Sequence, residues 1–306
     1  MTGAESGTAV GAARSLAQVV LQLGSLELPV SLLFVVAGAA AAIVVARAGA
    51  RRLGLPVRRS VDALGAMVAF GLLAGHVADV ALYRPFELAA GGWRALASGG
   101  VCSLGAIAGA ALVGWLTLRH APGGLASHAD NLVTALSLGW AIGRLGCFID
   151  HDHLGRLTRS PLGVLFPGGT RHDLGLYEAA LALALFAIAR VRLRRIPRPP
   201  AGQTAALTAL LFALGRFGIE CLRADDLASL GRHSDARLFG LTLVQYAAVA
   251  LATGAAIVLS NSSAPGHSLD RNGGLVDRRK RSDLRGDAFR RDAERGLRQD
   301  ARQDFP

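Results

Sequence analysis

Apolar residues gather in seven runs along the chain, over about residues 28–48, 61–83, 97–118, 131–149, 174–191, 203–222 and 239–260. A helix crossing a bilayer needs roughly 20 predominantly apolar residues, so each run predicts a spanning helix. Lipid offers the backbone no hydrogen-bonding partner, and a helix satisfies its amides internally. The expected fold is an all-α integral membrane protein of about seven transmembrane helices, with the membrane domain at 28–260. Residues 1–27 precede it as an extracytoplasmic segment; within it, 10–26 is too polar at both ends for an eighth span and suits the membrane surface. Residues 261–306 are rich in Asp, Arg, Gly and Ser and offer too little apolar surface to offset ordering entropy, which predicts a disordered basic tail.

The polar joints between the runs set the orientation. The first carries Arg47, Arg51, Arg52, Arg58 and Arg59, and the fifth carries Arg190, Arg192, Arg194, Arg195 and Arg198. Loops rich in Lys and Arg stay in the cytoplasm, so the N-terminus is expected outside and the C-terminus inside. The cluster Arg278, Arg279, Lys280 and Arg281 at the start of the tail agrees. In the joints assigned outside, Arg84, Arg94, Arg156, Arg159, Arg171, Arg223, Arg232 and Arg237 are interspersed with acids. Tyr83 and Trp93 are expected near the outer interface and Trp115 near the inner one. Glu5 precedes the first arginine, Arg14, so the start lacks the basic region of a cleaved leader and is expected to be retained.

Composition sharpens this picture in two respects. Hydrophobic residues make up 52% of the 306, and with 38 glycines the chain suits close helix packing in lipid and not a soluble enzyme. The formal charge of +11 would otherwise suggest nucleic acid, but the excess flanks apolar runs and reads as a topology signal. Cys102, Cys147 and Cys221 sit in or beside apolar runs with no disulfide or zinc spacing.

An ionisable group at the centre of a spanning helix costs at least about 2.5 kcal/mol, so such groups face a bundle interior or a wet cavity. Here His76, Asp79, Arg144, Arg216 and Glu220 fall in the outer halves of their predicted helices, and Tyr177 and Glu178 open the fifth at its outer end. Arg216 and Glu220, at i and i+4, can neutralise each other as a structural pair. Arg144 shows no partner of its own in the sequence. Two guanidinium groups near one leaflet suit a lipid phosphate, which they bind through charge-assisted bidentate hydrogen bonds. Asp150, His151, Asp152 and His153 are ligand-type residues, but consecutive side chains rarely converge on one ion, so no metal is expected.

The run from Gly143 through Arg144, Gly146, Cys147, Phe148, Asp150, His151 and Asp152 to Gly155-Arg156 resembles the signature of bacterial prolipoprotein diacylglyceryl transferases. That signature reads Gly-Arg-x-Gly-Asn-Phe-x-Asn-Gly-Glu, two residues, then Gly-Arg. Further landmarks follow in family order: Asp130 ahead of the signature, Leu162-Gly163-Val164-Leu165-Phe166-Pro167, Arg171-His172 with Leu176-Tyr177-Glu178, Gly215-Arg216-Phe217 with Glu220 and Arg223, and Gly240-Leu241-Thr242 with Gln245. The likeness covers roughly residues 60–260. It implies seven helices in the bacterial cytoplasmic membrane and transfer of the diacylglyceryl group of phosphatidylglycerol to the lipobox cysteine thiol of a preprolipoprotein. The partners implied are phosphatidylglycerol, the preprolipoprotein signal peptide and the membrane, without nucleic acid and without a cofactor. It also implies that Arg144 and Arg216 bind the lipid phosphate, and that Asp152, Tyr177, Arg216 and Glu220 form the catalytic set.

The chain departs from the pattern in several places. Cys147 and Asp150 stand for asparagines, His151 for glycine and Asp152 for glutamate. The family's Gly-Gly-Leu-Ser-Phe-His-Gly-Gly corresponds to Gly99-Gly100-Val101-Cys102-Ser103-Leu104-Gly105-Ala106, so Leu104 fills the histidine slot; His76 replaces an arginine. Three readings stay open: a transferase using another base, with His76, His151, His153 or His172 as candidates; an enzyme of this fold with another acceptor; and a homologue that binds phospholipid or lipoprotein precursor without chemistry.

Overall fold

A computed structural model describes residues 20–23, 26–97, 100–166, 168–227, 235–263, 267–269 and 275–277. Residues 1–19, with Glu5 and Arg14, lie outside the described residues, as do Gly99, Pro167, Arg232, the Arg278–Arg281 cluster and the side chain of Trp93.

Each of the seven apolar runs holds a helix. They are α1 (Val30–Leu53), α2 (Val57–Tyr83), α4 (Ser103–Leu118), α5 (Leu125–Asp150), α6 (Leu174–Arg194), α7 (Gln203–Glu220) and α8 (Leu243–Ser263), with the short α3 (Pro85–Gly91) between the second and third. Five of them, α1, α2, α5, α6 and α8, are long and apolar enough to cross a membrane; α4 is apolar but shorter. The third run yields the shortest of the seven because Gly92–Ala97 forms a 3-10 turn and the chain then doubles back on α2. There Cys102 N–H donates to Gly75 O at 3.0 Å, ahead of the first turn of α4.

Local chemistry sets the helix ends. Gly54, at φ 69°, closes α1 in the left-handed conformation that glycine adopts without strain. Asp173 caps α6 by accepting from Gly175 N–H at 2.9 Å. The start of α7 is capped from another helix: the buried carboxylate of Asp130 on α5 accepts from Gly202 N–H at 2.8 Å and Ala205 N–H at 2.7 Å. α1 packs on α5, α2 on α4, α5 on α6, and α7 on both α6 and α8. At the α1–α5 crossing a β-carbon on Gly38 would lie 2.5 Å from Gly139 O, so the backbones meet at a distance that excludes side chains. Large apolar side chains such as Val36, Val44, Phe70, Leu73 and Leu112 point outward, whereas Asp130, Arg144, Glu178, Arg216 and Glu220 are buried. This inversion of a water-soluble protein fits a bilayer.

The connection from α5 to α6 adds an element that the helical expectation did not contain. After the N-terminal antiparallel pair β1 (Val20–Leu23) and β2 (Leu26–Pro29), strands β3 (Leu154–Leu157), β4 (Val164–Phe166) and β5 (Gly169–Asp173) form an antiparallel sheet in the order β3-β5-β4. Segments this short carry little periodicity; their pairing depends on partners elsewhere. Arg156 N–H donates to Leu222 O at 2.8 Å, and Arg171 grips Asp226 with two hydrogen bonds of 2.8 and 2.7 Å. Arg171 holds the Asp226 carboxyl below its ordinary range. The sheet is thereby pinned to the segment following α7. Past Ser263, the described part of the expected tail is an antiparallel pairing of His267–Leu269 with Leu275–Asp277; residues 278–306 lie outside the described residues.

Candidate active site

Helices α5, α6 and α7 meet around a line of alternating charges. Arg144 Nε lies 3.0 Å from Glu178 Oε2, and the other oxygen of Glu178 lies 3.7 Å from Arg216 Nη1. Arg216 Nη1 is 2.6 Å from Glu220 Oε2, while Glu220 Oε1 is 2.7 Å from Arg223 Nε. Arg223 Nε reaches Asp235 at 2.9 Å. Arg144 therefore has a partner, Glu178, which corrects the expectation that it stands unpaired. Glu178 follows Leu174 by one turn on α6, so its side chain enters the bundle where α5 and α7 flank it.

The arrangement does more than neutralise charge. One carboxylate spans two guanidinium groups from different helices, which brings Arg144 and Arg216 to the separation at which a single phosphate could bridge them. Arg216 Nη1, both oxygens of Glu178 and Glu220 Oε2 sit close to their partners but off the hydrogen-bonding line, so none has a hydrogen bond among the described residues. Buried polar groups are nearly always hydrogen-bonded. Three of these four atoms are carboxylate oxygens, each between 2.6 and 3.7 Å from a guanidinium nitrogen, so the line is held by charge. Arg144 also lies over the Trp140 ring, 4.9 Å from its centroid, which fixes the plane of its guanidinium.

Around Arg144 the signature run folds back on itself. Its Nη1 lies 3.7 Å from Cys147 Sγ and contacts His153 Nε2. Ligand-type atoms of Cys147, Asp152 and His153 all fall within 4.8 Å of one another. The guanidinium occupies this group and supplies the positive charge there. Asp152 follows the end of α5, and burial pushes its carboxyl up to about 6, against the pull of Arg144.

The remaining candidates divide among three places. Tyr177 Oη lies 2.7 Å from His172 Nδ1, one residue before Glu178 on α6. His76 is engaged through both ring nitrogens, 2.9 Å from Leu96 O and 3.0 Å from Gly100 O, and so clasps the approach to α4. As a base it is poorly placed, because both nitrogens face carbonyl oxygens. Neighbouring Asp79 accepts from Gly100 N–H at 3.1 Å and pairs with Arg84 at 3.2 Å. His151 Nδ1 lies 2.7 Å from Asp173 Oδ2. Burial pushes the Asp173 carboxyl above its ordinary value, and His151 and the backbone amides pull it back.

Sequence reading passed over Asp173, Asp226 and Asp235. Asp173 carried a usable signal, an N-cap residue directly before an apolar run. The other two lie in the connection between α7 and α8, where no period announces a partner. The Gly240-Leu241-Thr242 motif with Gln245 acquires a physical role. Thr242 Oγ1 donates to Glu220 Oε1 at 3.3 Å, and Gln245 Oε1 accepts from Thr242 N–H at 3.0 Å, bracing the charged line from α8.

The chain is similar to known proteins over most of its length. A family model described as prolipoprotein diacylglyceryl transferase matches residues 18–259. The phosphatidylglycerol-prolipoprotein diacylglyceryl transferase of Geobacter sulfurreducens is 31% identical over 225 residues, covering 70% of this chain and 84% of the relative. That of Thermotoga maritima is 30% identical over 245 residues, covering 75% and 82%. That of Gloeobacter violaceus is 33% identical over 171 residues, 52% of this chain and 63% of the relative.

Proposed function

The chain belongs to the prolipoprotein diacylglyceryl transferase family, and on that premise we propose that it transfers the diacylglyceryl group of phosphatidylglycerol to the lipobox cysteine thiol of preprolipoproteins. The observation that carries the reading is the convergence of Arg144 and Arg216, from α5 and α7, on the one carboxylate of Glu178. In this role the two arginines hold the lipid phosphate and stabilise it as it departs. Glu220, braced by Arg216, Arg223 and Thr242, keeps Arg216 in place. Asp152 and Tyr177 shape the space around the glyceryl carbon.

The protein sits as a multi-pass component of the bacterial cytoplasmic membrane, with seven spans, the N-terminus outside and the C-terminus inside. That orientation puts the charged line at the outer leaflet, where a signal peptide presents its cysteine. Loop charge supports it: Arg51, Arg52, Arg194 and Arg198 cluster at one end of the bundle, with Arg198 donating to Arg52 O at 2.9 Å. The acceptor is a signal peptide because the reaction needs a thiol beside lipid.

Leu104 supports one second reading, a homologue that binds phospholipid or precursor without chemistry, since leucine takes no proton. A transfer assay separates the two. Purified protein, labelled phosphatidylglycerol and a lipobox peptide should yield a diacylglyceryl thioether. Lipid binding without product at any pH would leave the binding reading.

A further inference from the structure

We propose that His151, oriented by Asp173, is the group that takes the proton from the acceptor thiol. The proposal rests on the transferase reading and assigns its missing base.

His151 closes α5 at φ 49° and ψ 41°, the left-handed conformation that strains a residue with a β-carbon. The residue is held there by contacts that fix the ring. Its imidazole meets the edges of Phe148 and Phe166, with centroids 5.4 and 5.3 Å away. Its Nδ1 lies 2.7 Å from Asp173 Oδ2. Asp173 is itself fully buried, and its other oxygen accepts from Gly175 N–H. A carboxylate fixed in this way keeps the proton on Nδ1, so the lone pair is on Nε2. The His151 side chain is 34% exposed, so the ring can be reached from outside.

Position supports the assignment. His151 follows Arg144 by seven residues, two turns that return it to nearly the same face of α5 about 10 Å further out. The sulfur attacks the glyceryl carbon from the side opposite the leaving phosphate, so a base that serves the thiol belongs on the far side of that carbon from Arg144, the direction in which His151 lies along α5. The charged groups around His151 are Asp173 from β5 and, on its own segment, Asp150 and Asp152, with Arg144 and His153 beyond Asp152. The acids favour the imidazolium that proton transfer creates.

The step balances without redox change. The S–H bond breaks and its proton goes to His151 Nε2. The sulfur electron pair forms the S–C bond while the C–O bond to phosphate breaks, and that pair leaves with glycerol phosphate. The imidazolium then returns its proton to outer water.

The test uses the full chain in nanodiscs with phosphatidylglycerol and a synthetic lipobox peptide, assayed from pH 5.5 to 9. The wild-type rate should level off at a lower pH than that of a variant lacking the imidazole. His151→Gln should lower the rate at pH 7 by roughly 100-fold and move the midpoint toward about 8.5, the value of a free thiol. Asp173→Asn should lower kcat with the peptide KM unchanged. His151→Gly suits the left-handed helix end without strain, and added imidazole should recover part of its rate. A purely structural His151 would scale the profile down at every pH without moving the midpoint, and imidazole would do nothing; either result overturns the proposal. Absence of product from the wild type at every pH refutes the transferase reading, and this assignment with it. Wild-type product with an unmoved midpoint in His151→Gln refutes this assignment alone.

Discussion

Arg144 Nε lies 3.0 Å from Oε2 of Glu178, a side chain 2% exposed at the centre of the bundle. Because Glu178 also faces Arg216, the two arginines are set by one acid and should act as a unit. Hydrogen bonds to charged groups contribute about 1.5–3 kcal/mol. Arg144→Gln and Arg216→Gln should each weaken phosphatidylglycerol binding by roughly 10- to 100-fold, read by native mass spectrometry of lipid adducts. Lysine at either position should restore only part, lacking the planar fork. Unchanged binding in both Gln variants would reduce the line of charges to a structural device.

Asp130 holds the first turn of α7 through two backbone amides. Asp130→Ala, which removes both acceptors, should lower stability by about 0.5–2 kcal/mol, the usual worth of a cap. The measurement is thermal unfolding in detergent, with phosphatidylglycerol affinity unchanged. A loss of lipid affinity equal to that of the arginine variants would place Asp130 in the site itself.

Asp152 makes stability depend on pH with a definite sign. Its carboxyl is raised to about 6 in the folded protein, above the ordinary 3.8, mainly by loss of hydration, although the side chain remains 48% exposed and solvent screens part of the effect. Its contribution is therefore fully present below about 3.8 and lost as pH rises through about 6. Relative to wild type, Asp152→Asn should show a Tm advantage that is small at pH 4 and grows to its full size by pH 7. A constant difference across that window would mean that Asp152 does not titrate there.

Leu104 is the chain's departure from the family's histidine slot. If His151 already supplies the base, Leu104→His alone should change the rate at pH 7 by less than about tenfold, whereas a base typically contributes roughly 10²- to 10⁴-fold. In the His151→Gln background the same change should raise thioether formation at least tenfold. No rise in that background would show that position 104 does not face the acceptor.

The orientation proposed from loop charge is checked with an epitope tag after Pro306. In intact spheroplasts, protease should spare the tag and cut it only after lysis. Cleavage before lysis would invert the topology and put the charged line at the inner leaflet.

Much of this architecture is readable in the residues. Each apolar run holds a helix, five of them long and apolar enough to cross a membrane, and the i, i+4 spacing of Arg216 and Glu220 anticipated a pair that the structure places at 2.6 Å. What stayed hidden depends on contacts between elements. Arg144 finds Glu178 because α5 packs on α6, and Arg223 finds Asp235 across the connection that follows α7. Neither pairing leaves a local period. The sheet of β3, β4 and β5 was invisible for the same reason, since three- to five-residue strands acquire their register from Arg171–Asp226 and the backbone of Leu222. The start of α4 moved to Ser103 because His76 and Gly75 bind the preceding backbone to α2.

Arg144, Arg216 and Arg223 balance Glu178, Glu220 and Asp235, so the line carries no formal charge before lipid arrives. A phosphodiester adds one negative charge to that neutral interior. Once the glyceryl carbon has left, the monoester that remains can carry two, and unscreened charge grows costlier in a low-dielectric surround. The same balance that admits the substrate thus works against retention of the product. Turnover would then be driven outward by accumulating negative charge, and the rate of glycerol phosphate release should rise as the surrounding acids ionise.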